Sequence, residues 1–283
     1  MSRNRERSGA KKSISPPPST NENNESGAFS FVVPTEFVEL PSAGRFYPQG
    51  HPLHNQSTIE IKQMTAKEED LLTSRALLKK GIALDRLLAS IIVNKAVRPE
   101  HLLVGDRNAI LIATRISGYG PDYETKIVCP SCGENQEYSF DLADIGNYDG
   151  TDLLDEEATD NGNGTFTALM PKTKVEVTFR LLNGSDEKNL LTQSESARKS
   201  KRNENNVTRQ LKQMIVAVNG DTSQQSINYF SENMPSMDAR HLRYVYTIAS
   251  PNVDMSQNFE CNSCGYEQEL EVPLTADFFW PDR

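Results

Sequence analysis

Two Cys-x-x-Cys-Gly motifs constrain the fold of this chain more than any other feature of its sequence. The four cysteines occur only as Cys129-Pro-Ser-Cys132 and Cys261-Asn-Ser-Cys264, each followed by glycine, and no cysteine is left over. The two-residue spacing lets both thiolates of a pair point to one side of a tight turn, and the glycine permits the backbone to fold back toward the sulfurs. Four thiolates complete the tetrahedral shell of Zn²⁺ and leave no open position. The spacing therefore predicts a structural zinc site with Cys129, Cys132, Cys261 and Cys264 as its ligands.

The residues around the two motifs repeat each other as well. Residues 126–142 and 258–274 align without a gap at an offset of 132 positions. In both segments apolar and polar residues alternate after the second cysteine, which predicts the order strand, knuckle, strand. Two such β-hairpins facing each other across one zinc ion form a zinc ribbon. The 128 residues between Cys132 and Cys261 far exceed the ~15–20 of a contiguous ribbon, so they predict an inserted subdomain whose ends the metal holds together.

Three other interpretations compete with an intrachain structural zinc site. A thioredoxin-type redox pair needs its first cysteine at a helix N-terminus, whereas both second cysteines here lead into strand patterns. The two pairs could instead be separate half-sites, each completed by another subunit. A nucleic-acid finger is disfavoured because Glu134, Glu267 and Glu269 follow the knuckles closely and repel phosphate.

The composition excludes several classes of protein. Residues 1–28 are dominated by Ser, Asn, Pro, Gly and charged residues, which predicts a disordered N-terminal arm. The rest of the chain carries 25 Lys and Arg against 36 Asp and Glu, a net charge of −11, which argues against a general nucleic-acid binder. The longest apolar run, residues 109–113, has five residues against the ~18 of a membrane span. The charged start lacks an apolar secretory signal, so we expect the chain to remain in the cytosol.

Hydrophobic periodicity predicts an α+β fold made of a helical block, small β units and the zinc ribbon. Thr65 followed by Glu68 is a capping-box pattern that opens a helix ending before Gly81. A leucine and isoleucine stripe at helical spacing predicts a second helix, and Asp106 is expected to cap a third. The expected organisation is a disordered arm over 1–28, a β segment over 29–64, a helical block over 65–120, the ribbon over 121–142 and 256–276, an inserted α/β subdomain over 143–255 and an aromatic tail over 277–283.

The inserted subdomain shows its own strand and helix patterns. Residues 166–170 and 174–181 are typical of paired strands. Ser185 is expected to cap a helix, and two further helices are predicted over 207–218 and 237–249.

The aromatic C-terminus is a candidate for partner contacts. Phe278, Phe279 and Trp280 stand together at the end of the chain, and aromatic side chains are costly to leave in water. They either pack back on the ribbon or insert into a partner subunit. Phe46 and Tyr47, in a turn-rich segment, are two further candidates for partner binding.

No enzyme constellation emerges from the sequence. It contains no Gly-rich phosphate loop, no nucleophile elbow and no His-Glu-x-x-His, and its four histidines lack companions at metal or triad spacing. We therefore expect neither catalytic residues nor a small-molecule substrate.

Three long strings resemble the baseplate hub proteins of T4-type contractile-tailed bacteriophages. They are Leu40-Pro-Ser-x-Gly-x-Phe-Tyr-Pro48, MTAKEEDLLTSRALLKKG from Met64 to Gly81, and VGDRNAILIATRISGYG from Val104 to Gly120, followed by Cys-Pro-x-Cys-Gly. The resemblance spans about residues 37–142, and the second knuckle fits it less distinctively. It implies a non-catalytic structural or assembly protein of the virion tail baseplate, assembled in the host cytoplasm, with other tail subunits as partners.

A different class of protein is the alternative. The dense basic run at residues 198–202 could serve as the nucleic-acid contact of a cytosolic zinc-ribbon regulatory protein. Its binding would then weaken steeply with salt.

Overall fold

The fold is mixed α+β, as the sequence predicts. The structure is a computed structural model of the 283-residue chain and describes residues 32–150, 157–200, 205–272 and 276–279. Within these ranges it has eight helices and twelve short strands. The predicted disordered arm over 1–28 lies outside the described residues, and so does Trp280. None of the helices in the described ranges has the length and apolar content that crossing a membrane requires.

The elements follow one another as short strands and helices of moderate length. The strands are β1 Thr35–Glu39, β2 Thr58–Lys62, β3 Asp122–Val128, β4 Asn135–Asp141, β5 Gly146–Tyr148, β6 Thr159–Asp160, β7 Thr165–Leu169, β8 Glu176–Arg180, β9 Ile215–Val218, β10 Asn252–Asp254, β11 Ser256–Glu260 and β12 Glu267–Glu271. The helices are α1 Ala66–Thr73, α2 Arg75–Lys79, α3 Ala83–Ile91, α4 Val104–Tyr119, α5 Gly184–Lys199, α6 Asn206–Met214, α7 Gln224–Asn233 and α8 Ser236–Ala249. Single 3₁₀ turns lie at Pro99–His101, Leu142–Asp144 and Ala276–Phe279.

The first hydrophobic core joins the N-terminal strands, the helices before the ribbon and the base of the ribbon. β1 pairs antiparallel with β2, and α3 and α4 present apolar residues at helical spacing toward this pair. The β3–β4 hairpin adds Tyr123 and Phe140, both almost fully buried. The helical block and the root of the ribbon are therefore packed into one core.

The second core lies on an antiparallel sheet of order β6-β7-β8-β9. The pairing of β7 with β8 confirms the two strands predicted over 166–170 and 174–181. Helices α6, α7 and α8 cover this sheet with the buried side chains Leu211, Ile227 and Leu242. The short strands β5 and β10 pair antiparallel and so connect the start and the end of the segment that forms this sheet and its helices.

Two predicted helices differ from those in the structure. The helix expected over 65–80 is interrupted at Ser74, whose backbone is extended, although Thr65 and Glu68 do form the predicted capping box. The Thr73 hydroxyl bonds back to helix carbonyls, and such side-chain competition favours a break. The helix expected over 207–218 ends at Met214, because the β-branched run that follows joins the sheet as β9.

Two predicted helix caps are also displaced. Asn183 rather than Ser185 caps α5, in a reciprocal capping box with Asp186. Asp106 lies inside the first turn of α4 and turns inward, where its carboxylate accepts hydrogen bonds from Ser42 and Tyr47. Asp106 therefore serves as the acceptor that the buried donors of Ser42 and Tyr47 need, and this role is favoured over capping the helix at the surface.

Four of the five aromatic residues proposed for partner contacts are buried in the chain itself. Phe46 enters the second core, with its ring 5.3 Å from that of Phe166, while its neighbour Tyr47 enters the first. Phe278 and Phe279 pack on the first core, with exposures of 4% and 5%. Folding therefore already removes these four rings from water, and their contact with a partner subunit stays a prediction. The predicted contact of Trp280 lies outside the described residues.

Candidate metal centre

The two knuckles have the same backbone structure. The first connects β3 to β4 and the second connects β11 to β12, each pair forming an antiparallel hairpin. Cys129 N–H donates to the Glu134 carbonyl at 2.8 Å, and Cys261 N–H donates to the Tyr266 carbonyl at 2.9 Å. A second hydrogen bond closes each turn. The Gly133 N–H donates to the Cys129 carbonyl, and the Gly265 N–H donates to the Cys261 carbonyl, each at 2.9 Å. The internal sequence repeat is therefore also a structural repeat.

The glycine after each second cysteine is required by the turn. Gly133 has φ of +76° and Gly265 has φ of +67°, in the left-handed region that other residues rarely adopt. This conformation reverses the chain and brings the backbone amides toward the cysteine sulfurs, as the sequence predicted.

The four sulfurs form one cluster within a single chain. All of them lie within 4.8 Å of one another. Cys129 Sγ is 3.8 Å from Cys264 Sγ, and Cys132 Sγ is 3.8 Å from Cys261 Sγ. A tetrahedron with Zn–S bonds of about 2.3 Å has S–S edges of about 3.8 Å, whereas a disulfide needs about 2.05 Å. The donor set and its spacing thus fit a tetrahedral metal ion and exclude disulfides in this conformation.

The electrostatics of the cluster require a cation if all four thiols ionise. The backbone N–H of Cys132, together with that of Ser131, lowers the pKa of Cys129 to about 7. The Glu134 N–H lowers the pKa of Cys132, but desolvation and the neighbouring sulfurs outweigh it and raise that pKa to about 12. One thiolate therefore forms readily, and like charge opposes the others. A bound metal ion supplies the positive charge that four thiolates need.

Aromatic packing supports the cluster from below. Cys129 and Cys261 are buried against Phe259, while Cys132 and Cys264 stay exposed. The Tyr138 ring lies 5.1 Å from the Phe259 ring and thereby joins the two hairpins. The ribbon thus has a small apolar core on one side of the sulfurs and solvent on the other.

Side-chain hydrogen bonds between the hairpins fix their relative register. The Gln136 carboxamide accepts from the Asn262 N–H at 3.0 Å and donates to the Glu260 carbonyl at 3.3 Å. The Tyr138 hydroxyl donates to the Asn258 carbonyl at 3.0 Å. Sequence analysis missed both roles, although Gln136 is one of the residues that coincide in the internal repeat.

A buried arginine ties the ribbon to the helical block and to the C-terminus. Arg115 of α4 is only 1% exposed and donates to the carbonyls of Phe278, Gly120 and Asp122 at 2.8 to 3.1 Å. These carbonyls belong to the C-terminal turn, the end of α4 and the start of β3. Burial lowers the pKa of Arg115. Each guanidinium nitrogen thus donates to one carbonyl, and no carboxylate is among the acceptors.

The structure separates the competing interpretations of the cysteines. Neither knuckle leads into a helix, so the geometry of a thioredoxin-type pair is absent from both. All four thiols meet within the chain, so neither pair needs a second subunit to complete a four-sulfur site. Among the described residues, no other cluster of three or more potential metal-binding side chains was found.

Comparison with known proteins identifies the family. Residues 34–280 match the family described as T4 bacteriophage base plate protein, which covers most of the chain, including both knuckles. No curated protein and no solved structure shows a significant match. The family implies a virion tail component that interacts with other phage tail proteins, and it points to a structural role. The chain therefore belongs to the T4 bacteriophage base plate protein family.

Proposed function

We propose that this chain is a structural or assembly component of the hub region of a contractile phage tail baseplate. It acts through contacts with other tail subunits and performs no catalysis. The family match over residues 34–280 carries this proposal. Further support comes from the long strings near the N-terminus that resemble baseplate hub proteins, and assembly would then take place in the host cytoplasm.

We further propose that Cys129, Cys132, Cys261 and Cys264 hold one structural Zn²⁺. When bound, the ion neutralises the thiolates and cross-links the hairpins. Four protein ligands leave no position for a substrate or a reactive water, so the site contributes rigidity rather than chemistry. The surrounding residues support this role, because Cys129 and Cys261 are buried against Phe259 in the small apolar core of the ribbon.

A rigid ribbon suits a subunit that has to fit several neighbours. The metal would join Cys132 and Cys261, which have 128 residues between them, and would fix the ends of that region. A partner then meets a preorganised surface and loses less entropy on binding.

Quantitative mass spectrometry tests the proposed role. We expect peptides of this chain in purified phage particles if it is a virion subunit, or only in isolated baseplate intermediates if it is an assembly factor. Either result supports the proposal and decides between its two forms. Absence from both preparations, while the chain is present in the infected-cell extract, would contradict it.

A further inference from the structure

Asparagine followed by glycine is a chemically labile pair, and the chain contains four such pairs. They are Asn161-Gly162, Asn163-Gly164, Asn183-Gly184 and Asn219-Gly220. In such a pair the glycine nitrogen attacks the side-chain carbonyl carbon of the asparagine and expels ammonia. Glycine permits this attack because it carries no Cβ beside the nitrogen. The rate at each pair then depends on how the fold holds the two reacting groups.

Two of the four pairs have an occupied nucleophile. The Gly162 N–H donates to Asp160 Oδ1 at 2.8 Å. The Gly184 N–H donates to the Leu102 carbonyl at 3.0 Å, at the start of α5. Each nitrogen would have to give up its hydrogen bond before it could attack, so we expect both pairs to react slowly.

A third pair has its carboxamide held away from the glycine. The Asn219 carboxamide oxygen accepts from the Glu176 N–H of β8 at 2.9 Å. Turning this side chain back onto the Gly220 nitrogen would break that bond and leave the Glu176 N–H without its acceptor. We therefore expect slow reaction at this pair as well.

The pair Asn163-Gly164 has neither form of protection. Asn163 is exposed in the loop between β6 and β7, and its Oδ1 accepts from the Thr165 N–H at 3.1 Å and from the Thr165 hydroxyl at 2.7 Å. Because both donors lie two residues further on, the carboxamide folds back along its own backbone, as in an Asx turn. The Gly164 N–H makes no hydrogen bond within the residues that the structure describes, and contact with water would not block its attack.

We propose that Asn163 is a site of spontaneous deamidation. Both Thr165 donors contact the oxygen on which negative charge develops during the attack, so they stabilise the tetrahedral intermediate. A bond forms between the Gly164 nitrogen and Asn163 Cγ, the bond from Cγ to the side-chain nitrogen breaks, and that nitrogen leaves as ammonia with the proton of the Gly164 amide. Water then opens the succinimide ring at either carbonyl and gives aspartate or isoaspartate. The proposal is independent of the baseplate role and of the zinc site.

The modification changes a loop that touches the turn-rich segment at 41–48. Gly164 has φ of +80° and packs so closely on the Phe46 carbonyl that a Cβ would come within 2.7 Å of its oxygen. Either product adds one negative charge beside this contact and takes the net charge of residues 29–283 from −11 to −12. Isoaspartate also lengthens the backbone by one methylene.

Peptide mass spectrometry of the full-length chain, aged in mildly alkaline buffer, tests the proposal. Asn163 should gain the mass of a deamidation at least about tenfold faster than Asn183 and Asn219 in the same sample. Fragment ions distinguish it from Asn161, which should also be slow. In denaturant the four rates should become similar, because the fold rather than the shared Asn-Gly sequence causes the difference.

Two variants of Thr165 test how the fold accelerates the reaction. Thr165→Val removes the hydroxyl donor and should slow deamidation of Asn163 by about threefold or more, whereas Thr165→Ser keeps the hydroxyl and should react as the wild type does. The proposal would be overturned by equal rates at Asn163 and the other three asparagines in the folded chain. A rate unchanged in Thr165→Val, or differences that persist in denaturant, would overturn it too.

Discussion

Tyr47 is the central residue of a buried hydrogen-bond network in the first core. Its hydroxyl donates to Asp106 Oδ2 at 2.7 Å and accepts from the Leu103 N–H at 3.0 Å. Asp106 also accepts from the backbone and side chain of Ser42. Burial raises the pKa of Asp106, so the charged form depends on these donors. The network joins the turn-rich segment at 41–48 to the start of α4.

Removing the Tyr47 hydroxyl tests this network. Tyr47→Phe keeps the ring but leaves the Leu103 N–H without its acceptor and Asp106 without one of its donors. We expect a loss of about 1–3 kcal/mol in the free energy of unfolding, measured by urea denaturation. Tyr229→Phe, at a side chain that is 70% exposed, is the matched control and should change stability by less than about 0.5 kcal/mol. Equal effects in the two variants would contradict the assignment.

Phe278 is the residue through which the C-terminal turn is attached. Its ring lies 5.2 Å from that of Tyr123, and its carbonyl accepts from Arg115. Phe278→Ala should lower the free energy of unfolding by about 3–5 kcal/mol, since it leaves a cavity in the core. Phe37→Ala, at a ring that is 72% exposed, should cost less than about 0.5 kcal/mol. A Phe278→Ala variant as stable as Phe37→Ala would mean that the C-terminal turn is not docked in solution.

At the scale of elements, the N-terminus of α5 illustrates how a helix start is fixed. Asp186 closes the capping box with Asn183, pairs with Arg180 and accepts from the Gln213 side chain. Burial raises the pKa of Asp186, but these interactions outweigh burial and hold the pKa below its usual value of 3.8. The folded state therefore binds a proton on this group less readily than the unfolded state does.

The pH dependence of stability tests this helix start. A depressed carboxyl pKa contributes stability that is present above the unfolded pKa and is lost as pH falls through the folded pKa. Asp186→Asn should cost about 1–3 kcal/mol at pH 7, and the difference from wild type should shrink below about pH 4. Asp70→Asn, at an exposed position, is the control and should stay within about 0.5 kcal/mol of wild type at pH 7. A constant difference across pH would contradict the assignment.

Elements with strong local signals could be predicted from the sequence. The Thr65 capping box, the hairpins around the cysteines and the β7–β8 pair all follow from patterns within a few residues. Elements that depend on distant partners could not. Residues 215–218 carry β-branched side chains but also continue the apolar pattern of the preceding helix, and only their pairing with β8 decides that they form a strand.

In the candidate site, too, only the features with a local sequence signal could be predicted. Cysteine spacing and the internal repeat predicted the cluster of four sulfurs. The roles of Arg115 and Gln136 went unpredicted because their acceptors lie up to 163 positions away in sequence.

At the scale of the whole molecule, three contacts hold distant segments together. The adjacent residues Phe46 and Tyr47 enter different cores and so join them. Arg115 joins the helical block, the ribbon and the C-terminal turn. The cysteine cluster brings together the two hairpins, which precede and follow most of the second core in sequence. Four thiolates with one Zn²⁺ would add −2 to the folded body, taking its charge from −11 to about −13. This charge disfavours nucleic acid as a general partner.

Metal content combined with thiol reactivity tests the central claim most directly. The full-length chain, purified without chelator, should contain one zinc ion per molecule. Its four thiols should resist a thiol reagent until a chelator and denaturant are added. Cys132→Ser should lose the metal, whereas Ser131→Ala, at the neighbouring exposed position, should retain it. Less than half an equivalent of zinc in the wild-type chain, with all four thiols reactive under native conditions, would contradict the account.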